Sequence, residues 1–445
     1  MDTSPSALLT DLYQLNMVQA YLEASQTETS VFEFFVRKLP PQRNFLIAAG
    51  LEQALEFLQR LRFSDDELSW LVRSGRFSPR LIDYLSDFHF SGDVHAMPEG
   101  TVFFASEPIL RVTAPLPEAQ LVETRLINVL HFQSLIASKA ARMALLAPDK
   151  LLVDFGLRRA HGAEAGLLAA RASYIAGFAG TATLLAEKIF GIPAYGTMAH
   201  AFIQSFDDET AAFEAFARAR PRDLVLLIDT YDTEAAARKV VALAPRLRAL
   251  GIAIRGVRID SGDLVALSKS VRRILDEGGL KDVTIFVSGG IEEETMVSFV
   301  REAAPIDGIG IGTSLATSSD VPALDCAYKL QEYAGVPRRK RSTGKATWPG
   351  RKQVWRRYDA EGRMASDVLS TEGDLQEGEK LIVPVLQQGR PVMHQSSLQD
   401  IRAHTRAQLH RLPREFERLQ VGPSYPVQVA APLRQLAAAV DLRTQ

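Results

Sequence analysis

The chain has 445 residues, 47% of them hydrophobic and 23% charged, with a formal net charge of −2. Those proportions support a sizeable buried core and argue against a disordered chain, and the near-neutral balance argues against nucleic acid or an anionic membrane as the main partner. Cys326 is the only cysteine, which excludes an intrachain disulfide and a thiolate metal cluster.

In chain order, a helix is expected over residues 8–24 and a strand over 31–36, followed by a basic loop, Arg37-Lys38-Leu39-Pro40-Pro41. The opening residues lack the basic and apolar regions of a signal peptide, and no apolar run reaches the roughly 20 residues of a membrane span. A cytoplasmic protein is therefore expected. A helix over 48–61 precedes a β-rich stretch, 92–117, punctuated by Pro98-Glu99-Gly100. From Glu118, apolar residues at helical spacing (Leu121, Leu126, Val129, Leu130, Leu135, Ile136) predict a long helix ending near Pro148.

From Leu151 the pattern becomes strand–loop–helix. Strands are expected at 151–155, 192–195, 224–228, 253–259, 284–287 and 308–311, with helices over 234–250, 264–277 and 292–303. Repeated βα units with short connections predict a parallel sheet covered by helices, and polar residues at successive strand ends favour a barrel. After about Asp325 the alternation stops. Residues 337–357 read as a basic, turn-rich segment, and 360–445 as a smaller mixed region with arginine-rich helices from Ser396. Four basic residues, Arg338–Arg341, fit a solvated loop better than a nucleic-acid patch.

The chemistry gathers at the strand ends. Gly196-Thr197-Met198-Ala199-His200 places a histidine where strand passes into helix, with Thr197 as the expected cap and backbone N–H groups suited to an anion. Asp229 and Asp260 each end a β-like run. Carboxylates there can hold Mg²⁺ through water or bind sugar hydroxyls, the reading favoured for Asp229 and Asp260; the alternative, capping of the next helix, is open for Asp232 and Asp263. Arg258 points the same way as Asp260 by the period-two alternation of a strand, so a buried Arg258 needs an anion, either a phosphate or a structural carboxylate. Ser288-Gly289-Gly290 and Gly310-Ile311-Gly312-Thr313 are two successive glycine-rich strand ends late in the array, the arrangement of a barrel phosphate cradle. The run from Gly308 lacks the spacing of a dinucleotide fingerprint, and no Walker A motif is present. Phe155 beside Arg158 and Arg159 suits a flat aromatic carboxylate, although arginine pairs at strand ends are commonly solvated or salt-bridged.

These residues resemble the nicotinate phosphoribosyltransferase family over nearly the whole chain. The matching stretches are Thr10-Asp11-Leu12-Tyr13-Gln14-Leu15-Asn16-Met17, Pro98-Glu99-Gly100-Thr101, Glu118-Ala119-Gln120-Leu121-Val122-Glu123-Thr124 and Asp154-Phe155-Gly156-Leu157-Arg158-Arg159-Ala160. To these are added Gly196-Thr197-Met198-Ala199-His200, Arg258-Ile259-Asp260-Ser261-Gly262-Asp263 and the stretch from Gly344 to Val354.

The resemblance implies an α/β fold: an irregular TIM-like α/β barrel plus an α/β sandwich formed by both chain ends. The expected division is 1–125 and 336–445 for the sandwich and tail, with 126–335 for the barrel. It implies transfer of phosphoribose from 5-phosphoribosyl-1-pyrophosphate to nicotinate, coupled to ATP hydrolysis through a phosphohistidine at His200, in NAD biosynthesis and salvage. Tyr13, from the other subunit of a homodimer, and Phe155 would sandwich the pyridine, with Arg158 nearby. Asp229, Arg258 and Asp260 would face ribose, pyrophosphate and Mg²⁺, the metal being held mainly by pyrophosphate. Ser288, Gly289, Gly290, Gly310, Gly312 and Thr313 would hold the 5′-phosphate. Lys345 or Arg351 are further candidates for anion contact. One departure stands out: Gly180-Thr181-Ala182-Thr183 replaces the family's frequent Gly-Thr-Ser-Asn, which leaves a nicotinamide acceptor as the rival reading. A barrel lyase or isomerase needs a Schiff-base lysine or a histidine metal set at the strand ends, and neither is present there.

Overall fold

The computed structural model describes residues 6–342, 344–392, 396–420 and 422–443. The chain divides into two compact units, residues 139–322 and the combined flanks up to 138 and from 323. Among the described residues no helix is long and apolar enough to cross a membrane.

The flanking unit is built on a seven-stranded sheet in the order Val336–Pro337, Cys326–Tyr333, Thr29–Val36, Pro108–Pro115, Asp93–Ala96, Val383–Gln387, Arg390–Pro391. All its pairings are antiparallel. Seven of the eight residues of Thr29–Val36 are buried, as its nearly unbroken apolar run requires of a strand covered on both faces. The exception in character is Glu33, fully buried and ion-paired to Lys352 at 2.7 Å. A four-stranded sheet, Glu379–Lys380, Lys352–Tyr358, Met364–Thr371 and Val427–Val429, completes the strands of this unit together with the two-stranded pair Leu46–Ile47 and Val102–Phe103.

Residues 337–357 are therefore not turn-rich throughout: their last part is the strand Lys352–Tyr358, whose Lys352 and Arg356 are buried against acids. Charge counting points to solvent, whereas paired charges can enter a core. The basic run before it docks on the final helix, Ala431–Arg443, through Arg339 to Asp441 at 3.4 Å and Arg341 Nη1 to the Asp441 carbonyl at 3.2 Å. The first helix begins at Leu12, not Leu8, after Asp11 in extended conformation.

Unit 139–322 is a six-stranded, all-parallel sheet in the order Gly180–Thr181, Leu151–Asp154, Gly308–Ile311, Thr284–Ser288, Ile254–Ile259, Leu224–Leu227. Its first and last strands along the chain, Leu151–Asp154 and Gly308–Ile311, are paired, as in a sheet curled into a barrel. The curl stays open on one side. The expected strand over 192–195 contributes a single bridge, Ala194 to Thr181, and no pairing joins it to Leu224–Leu227. Pro193 lacks the N–H of a full ladder. The architecture is thus α/β with a curled parallel half-barrel, and the segment between its open edges carries His200.

The covering helices follow the predicted pattern. Leu264–Glu277 buries Leu264, Ser268, Val271, Ile274 and Leu275, one helical face. Asp263 caps it by accepting from Ala266 N at 3.0 Å, and Asp232 caps Thr233–Ala249 by accepting from Ala235 N at 2.7 Å. For these two aspartates the capping alternative holds.

Candidate active site

Parallel register sets the site. Arg258 lies beside Leu227 on one side and Phe286 on the other, and Phe286 lies beside Gly308. Two residues further along each strand, the same face carries Asp229, Asp260, Ser288 and Gly310, at the carboxyl ends where a βα array presents its loops. The period of two therefore places the acids, the serine and the glycine on one transverse row, with Arg258 one row beneath.

That row is bonded across. Asp229 Oδ2 accepts from Asp260 N at 2.9 Å and from Ser261 Oγ at 2.6 Å. Asp260 Oδ1 accepts from Ser288 Oγ, and its Oδ2 lies 3.7 Å from His200 Nε2. His200 opens the five-residue helix His200–Gln204, and its Nδ1 is 3.1 Å from Thr230 Oγ1. Thr197 is not the cap: Ala199 holds that position without a side-chain bond, and the Thr197 hydroxyl is buried without a partner.

The two glycine turns differ in cause. Gly289 (φ 94°) and Gly290 (φ 63°) occupy the left-handed region, and a Cβ on Gly289 would lie 2.0 Å from the Asp260 carbonyl oxygen. A Cβ on Gly310 would meet the Phe155 ring at 2.7 Å and the Phe286 ring at 3.0 Å. Gly312 precedes the short helix Thr313–Ala316 and passes close to the Phe155 backbone. Ser314 Oγ ties the second turn to the first through the Ile291 carbonyl at 2.6 Å. His200, Asp260, Ser288 and both turns thus form one contact chain.

Two polar atoms in the row are buried without a protein partner, Asp229 Oδ1 and Arg258 Nε. Arg258 donates from Nη2 to the Met198 carbonyl at 3.1 Å. Burial lowers its pKa, the Asp260 and Asp229 charges oppose that, and Arg158 adds to it. Both the structural and the anion-binding alternatives for Arg258 therefore have support: two carboxylates face it, and Nε remains to donate. Among the described residues no group of three or more His, Cys, Asp or Glu could hold a metal alone. The free Asp229 oxygen suits a metal that draws its other ligands from phosphate and water.

Asp154 opens one of the matching stretches, but its sequence context assigns it no role. It is 1% exposed, and its two oxygens accept from Gly156 N and from Thr181 Oγ1, both at 2.8 Å. Burial pushes its pKa up to about 6 against the lowering effect of those bonds. It clamps the turn that presents Phe155 and the exposed Arg158 and Arg159. A carboxylate ending an apolar strand just before an aromatic was the available signal. Thr181 accepts from Thr183 N at 3.0 Å, and the Thr183 hydroxyl is buried without a partner.

Tyr13 belongs to the flanking unit, on helix Leu12–Glu23, and is 45% exposed. Burial of part of the ring, then Glu123 and Asp11, raise its pKa. Arg351, a candidate anion contact, is bonded to Glu332 at 3.0 Å. A cavity of about 700 Å³ in the flanking unit, lined by Leu51, Leu55, Val385, Ile401 and His404 among others, includes none of the strand-end residues. Its acids are engaged: Glu99 accepts from Gly50 N at 2.6 Å, Asp400 completes the capping box begun by Ser397, Glu56 pairs with Arg60 at 2.7 Å, and Glu52 accepts from Gln53 Nε2 at 3.3 Å.

Three family models match in order along the chain. They are the nicotinate phosphoribosyltransferase N-terminal domain over residues 8–131, the nicotinate phosphoribosyltransferase family over 151–345 and the C-terminal domain over 375–437. The chain belongs to the nicotinate phosphoribosyltransferase family. It is 48% identical over 426 residues to nicotinate phosphoribosyltransferase pncB2 of Mycobacterium tuberculosis, covering 95% of this chain and 91% of that protein. It is 40% identical over 357 residues to nicotinate phosphoribosyltransferase of Bacillus subtilis, covering 79% and 73%. The crystal structure of human nicotinic acid phosphoribosyltransferase superposes with a TM-score of 0.87 at 30% identity, covering 97% of this chain and all of that one.

Proposed function

We propose that this member of the family joins nicotinate to 5-phosphoribosyl-1-pyrophosphate, giving nicotinate mononucleotide and pyrophosphate, in NAD biosynthesis. The observation that carries the reading is the bonded row Asp229–Asp260–Ser288 with Arg258 beneath it, at the carboxyl ends of parallel strands in a chain of this family.

The reaction needs no protein nucleophile at carbon. The pyridine nitrogen already has a lone pair, so its bond to the anomeric carbon forms as the bond to the pyrophosphate oxygen breaks, with no proton to remove. Positive charge develops on the sugar while negative charge leaves with pyrophosphate. Carboxylates on the sugar side and an arginine facing the departing anion match that separation, and in a water-poor site fixed charges act strongly. Asp229 and Asp260 would orient the ribose and help hold Mg²⁺, whose contribution is neutralisation of the pyrophosphate. Ser288, the Gly289–Gly290 turn, Gly310, Gly312 and Thr313 would receive the 5′-phosphate on open backbone. Phe155, with Tyr13 of a second subunit in a homodimer, would cover the pyridine faces, and Arg158 would meet its carboxylate.

His200 supports a further step, ATP coupling, which would place the enzyme in the ATP-dependent ligase class. With Nδ1 held at Thr230, Nε2 would attack the γ-phosphorus of ATP; the N–P bond forms as the P–O bond to ADP breaks, and water later attacks that phosphorus, breaking the N–P bond to release inorganic phosphate and the free imidazole. A phosphate there would sit beside Asp260 and alter the charge around the pyrophosphate position. The nicotinamide reading retains one supporting feature, Ala182-Thr183 where the family often has Ser-Asn.

Product formation from nicotinate, 5-phosphoribosyl-1-pyrophosphate, Mg²⁺ and ATP tests the activity, with nicotinamide as the parallel acceptor; no nucleotide at high enzyme concentration would defeat it. His200→Ala should retain its fold and lose both ATP stimulation and acid-labile phosphate. Stimulation that survives unchanged removes the phosphohistidine.

A further inference from the structure

Phe286 lies one row beneath Ser288, directly between Arg258 and Gly308 in the register of the parallel sheet. Its ring is only partly buried, on the face that carries the candidate site. It meets the Phe155 ring with centroids 5.6 Å apart and planes tilted by 31°. Against these rings the neighbouring strand places Gly308 and Gly310, which have no side chain. A Cβ on Gly308 would lie 2.4 Å from Phe286 Cδ2, and one on Gly310 would lie 2.7 Å from Phe155 Cδ2 and 3.0 Å from Phe286 Cε1.

Neither Gly308 nor Gly310 needs a positive φ. What demands glycine at both is the space taken by the two rings, a cause different from the left-handed turn at Gly289 and Gly290. The glycine pair is thus a flat bed on which the two aromatic rings lie. Phe155 is held from its other end as well, its N–H donating to the Ile311 carbonyl at 2.8 Å and the following Gly156 N–H donating to Asp154. Backbone bonds set where the Phe155 Cα sits; they leave the tilt of its ring to whatever packs against it. Besides the Gly310 backbone, an aromatic packing partner of that ring is Phe286.

We infer that Phe286 is a positioning and specificity-determining residue: seated on the Gly308–Gly310 bed, it fixes the plane of the Phe155 ring and so the plane in which the pyridine substrate is received. This rests on the reading that Phe155 faces the pyridine. A stacked aromatic acceptor must present its ring nitrogen to the anomeric carbon in line with the departing oxygen, so a wall free to tilt costs affinity for the base before it costs anything for the sugar phosphate. The role therefore splits the two substrates.

The test is steady-state kinetics on the full-length enzyme with four variants, Phe155→Leu, Phe286→Leu, Phe286→Tyr and Gly308→Ala. Phe286→Leu is expected to raise the KM for nicotinate about three- to tenfold, the range set by one aromatic pair, with the KM for 5-phosphoribosyl-1-pyrophosphate within about twofold. Phe286→Tyr keeps the ring and should restore the nicotinate KM to within about twofold of the parent. Gly308→Ala touches neither substrate in the proposed mechanism but pushes the Phe286 ring, so it should reproduce the selective rise. It also carries the test if Phe286→Leu fails to fold, with thermal midpoints checking each variant. If Phe155→Leu raises the nicotinate KM while Phe286→Leu and Gly308→Ala do not, or if both substrates weaken in proportion, the inference fails and the function stands. If Phe155→Leu itself leaves the nicotinate KM unchanged, the pyridine position assumed for Phe155 is wrong, and the inference falls with it.

Discussion

Asp367 and Asp229 are both buried aspartates facing an arginine, and they differ in what is left over. Asp367, in the flanking unit, is fully buried; its Oδ1 accepts from Arg356 Nε at 2.9 Å and from Tyr425 at 3.1 Å, and its Oδ2 accepts from Arg356 Nη2. Arg356 spends its remaining nitrogen on the Val102 carbonyl at 2.8 Å. Burial, and then the neighbouring Asp367 charge, push the Glu107 carboxyl beside them well above the usual carboxylate range. In the half-barrel, Asp229 keeps one oxygen and Arg258 keeps Nε without a partner. A closed network holds a fold together, whereas an open one has capacity for something outside the chain. The same residue types serve both ends, and what separates these two pairs is that Asp229 and Arg258 each keep a buried polar atom without a partner, whereas Asp367 and Arg356 keep none.

The contrast can be broken most forcefully at the closed network. Asp367→Ala removes both carboxylate bonds to the buried Arg356 and leaves Glu107 as its one acidic neighbour, which should remove about 3–5 kcal/mol of stability. Urea unfolding of the variant checks it, and a loss below about 1 kcal/mol would mean that the network is not structural. Asp260→Asn makes the opposite statement. The amide retains an oxygen for Ser288 but loses the charge, so kcat/KM should fall by about 10²–10³ while unfolding shifts far less. Equal losses of stability in the two variants would erase the distinction between the regions.

The difference between the regions also explains what could be read from the chain. The βα alternation was legible because each strand–helix unit, such as Ile254–Ile259 followed by Leu264–Glu277, carries its own period and its own cap at Asp263. The polar strand ends were legible for the same reason: Asp229, Asp260 and Ser288 each follow an apolar run, and parallel register then places them side by side. Gly180–Thr181 was not legible, since two residues have no period and their pairing is decided by Val153 and Asp154. Nor was Lys352–Tyr358, where the partners that allow Lys352 and Arg356 to be buried lie at Glu33 and Asp367, one of them more than 300 residues away. Phe286 escaped because a phenylalanine in a strand reads as core; its relation to Phe155 and to two glycines appears only once three strands are aligned.

Asp154 sits between the two kinds of network. Both its oxygens are satisfied, as in a closed network, yet no cation balances it, and burial raises its pKa to about 6 from the ordinary 3.8. A raised carboxyl pKa means that the folded state binds the proton more tightly than the unfolded one. Its contribution is therefore fully present below about pH 4 and is lost as pH rises through about 6, a change of about 3 kcal/mol for the gap between the two values. Other acids titrate over the same window, so the informative quantity is the difference in unfolding free energy between the parent and Asp154→Asn, followed by urea melts from pH 4 to 7.5. That difference should move against the parent as pH rises and level off above about pH 7. A difference independent of pH would mean that burial does not raise the Asp154 pKa, and that the turn presenting Phe155 and Arg158 is held by a closed network after all.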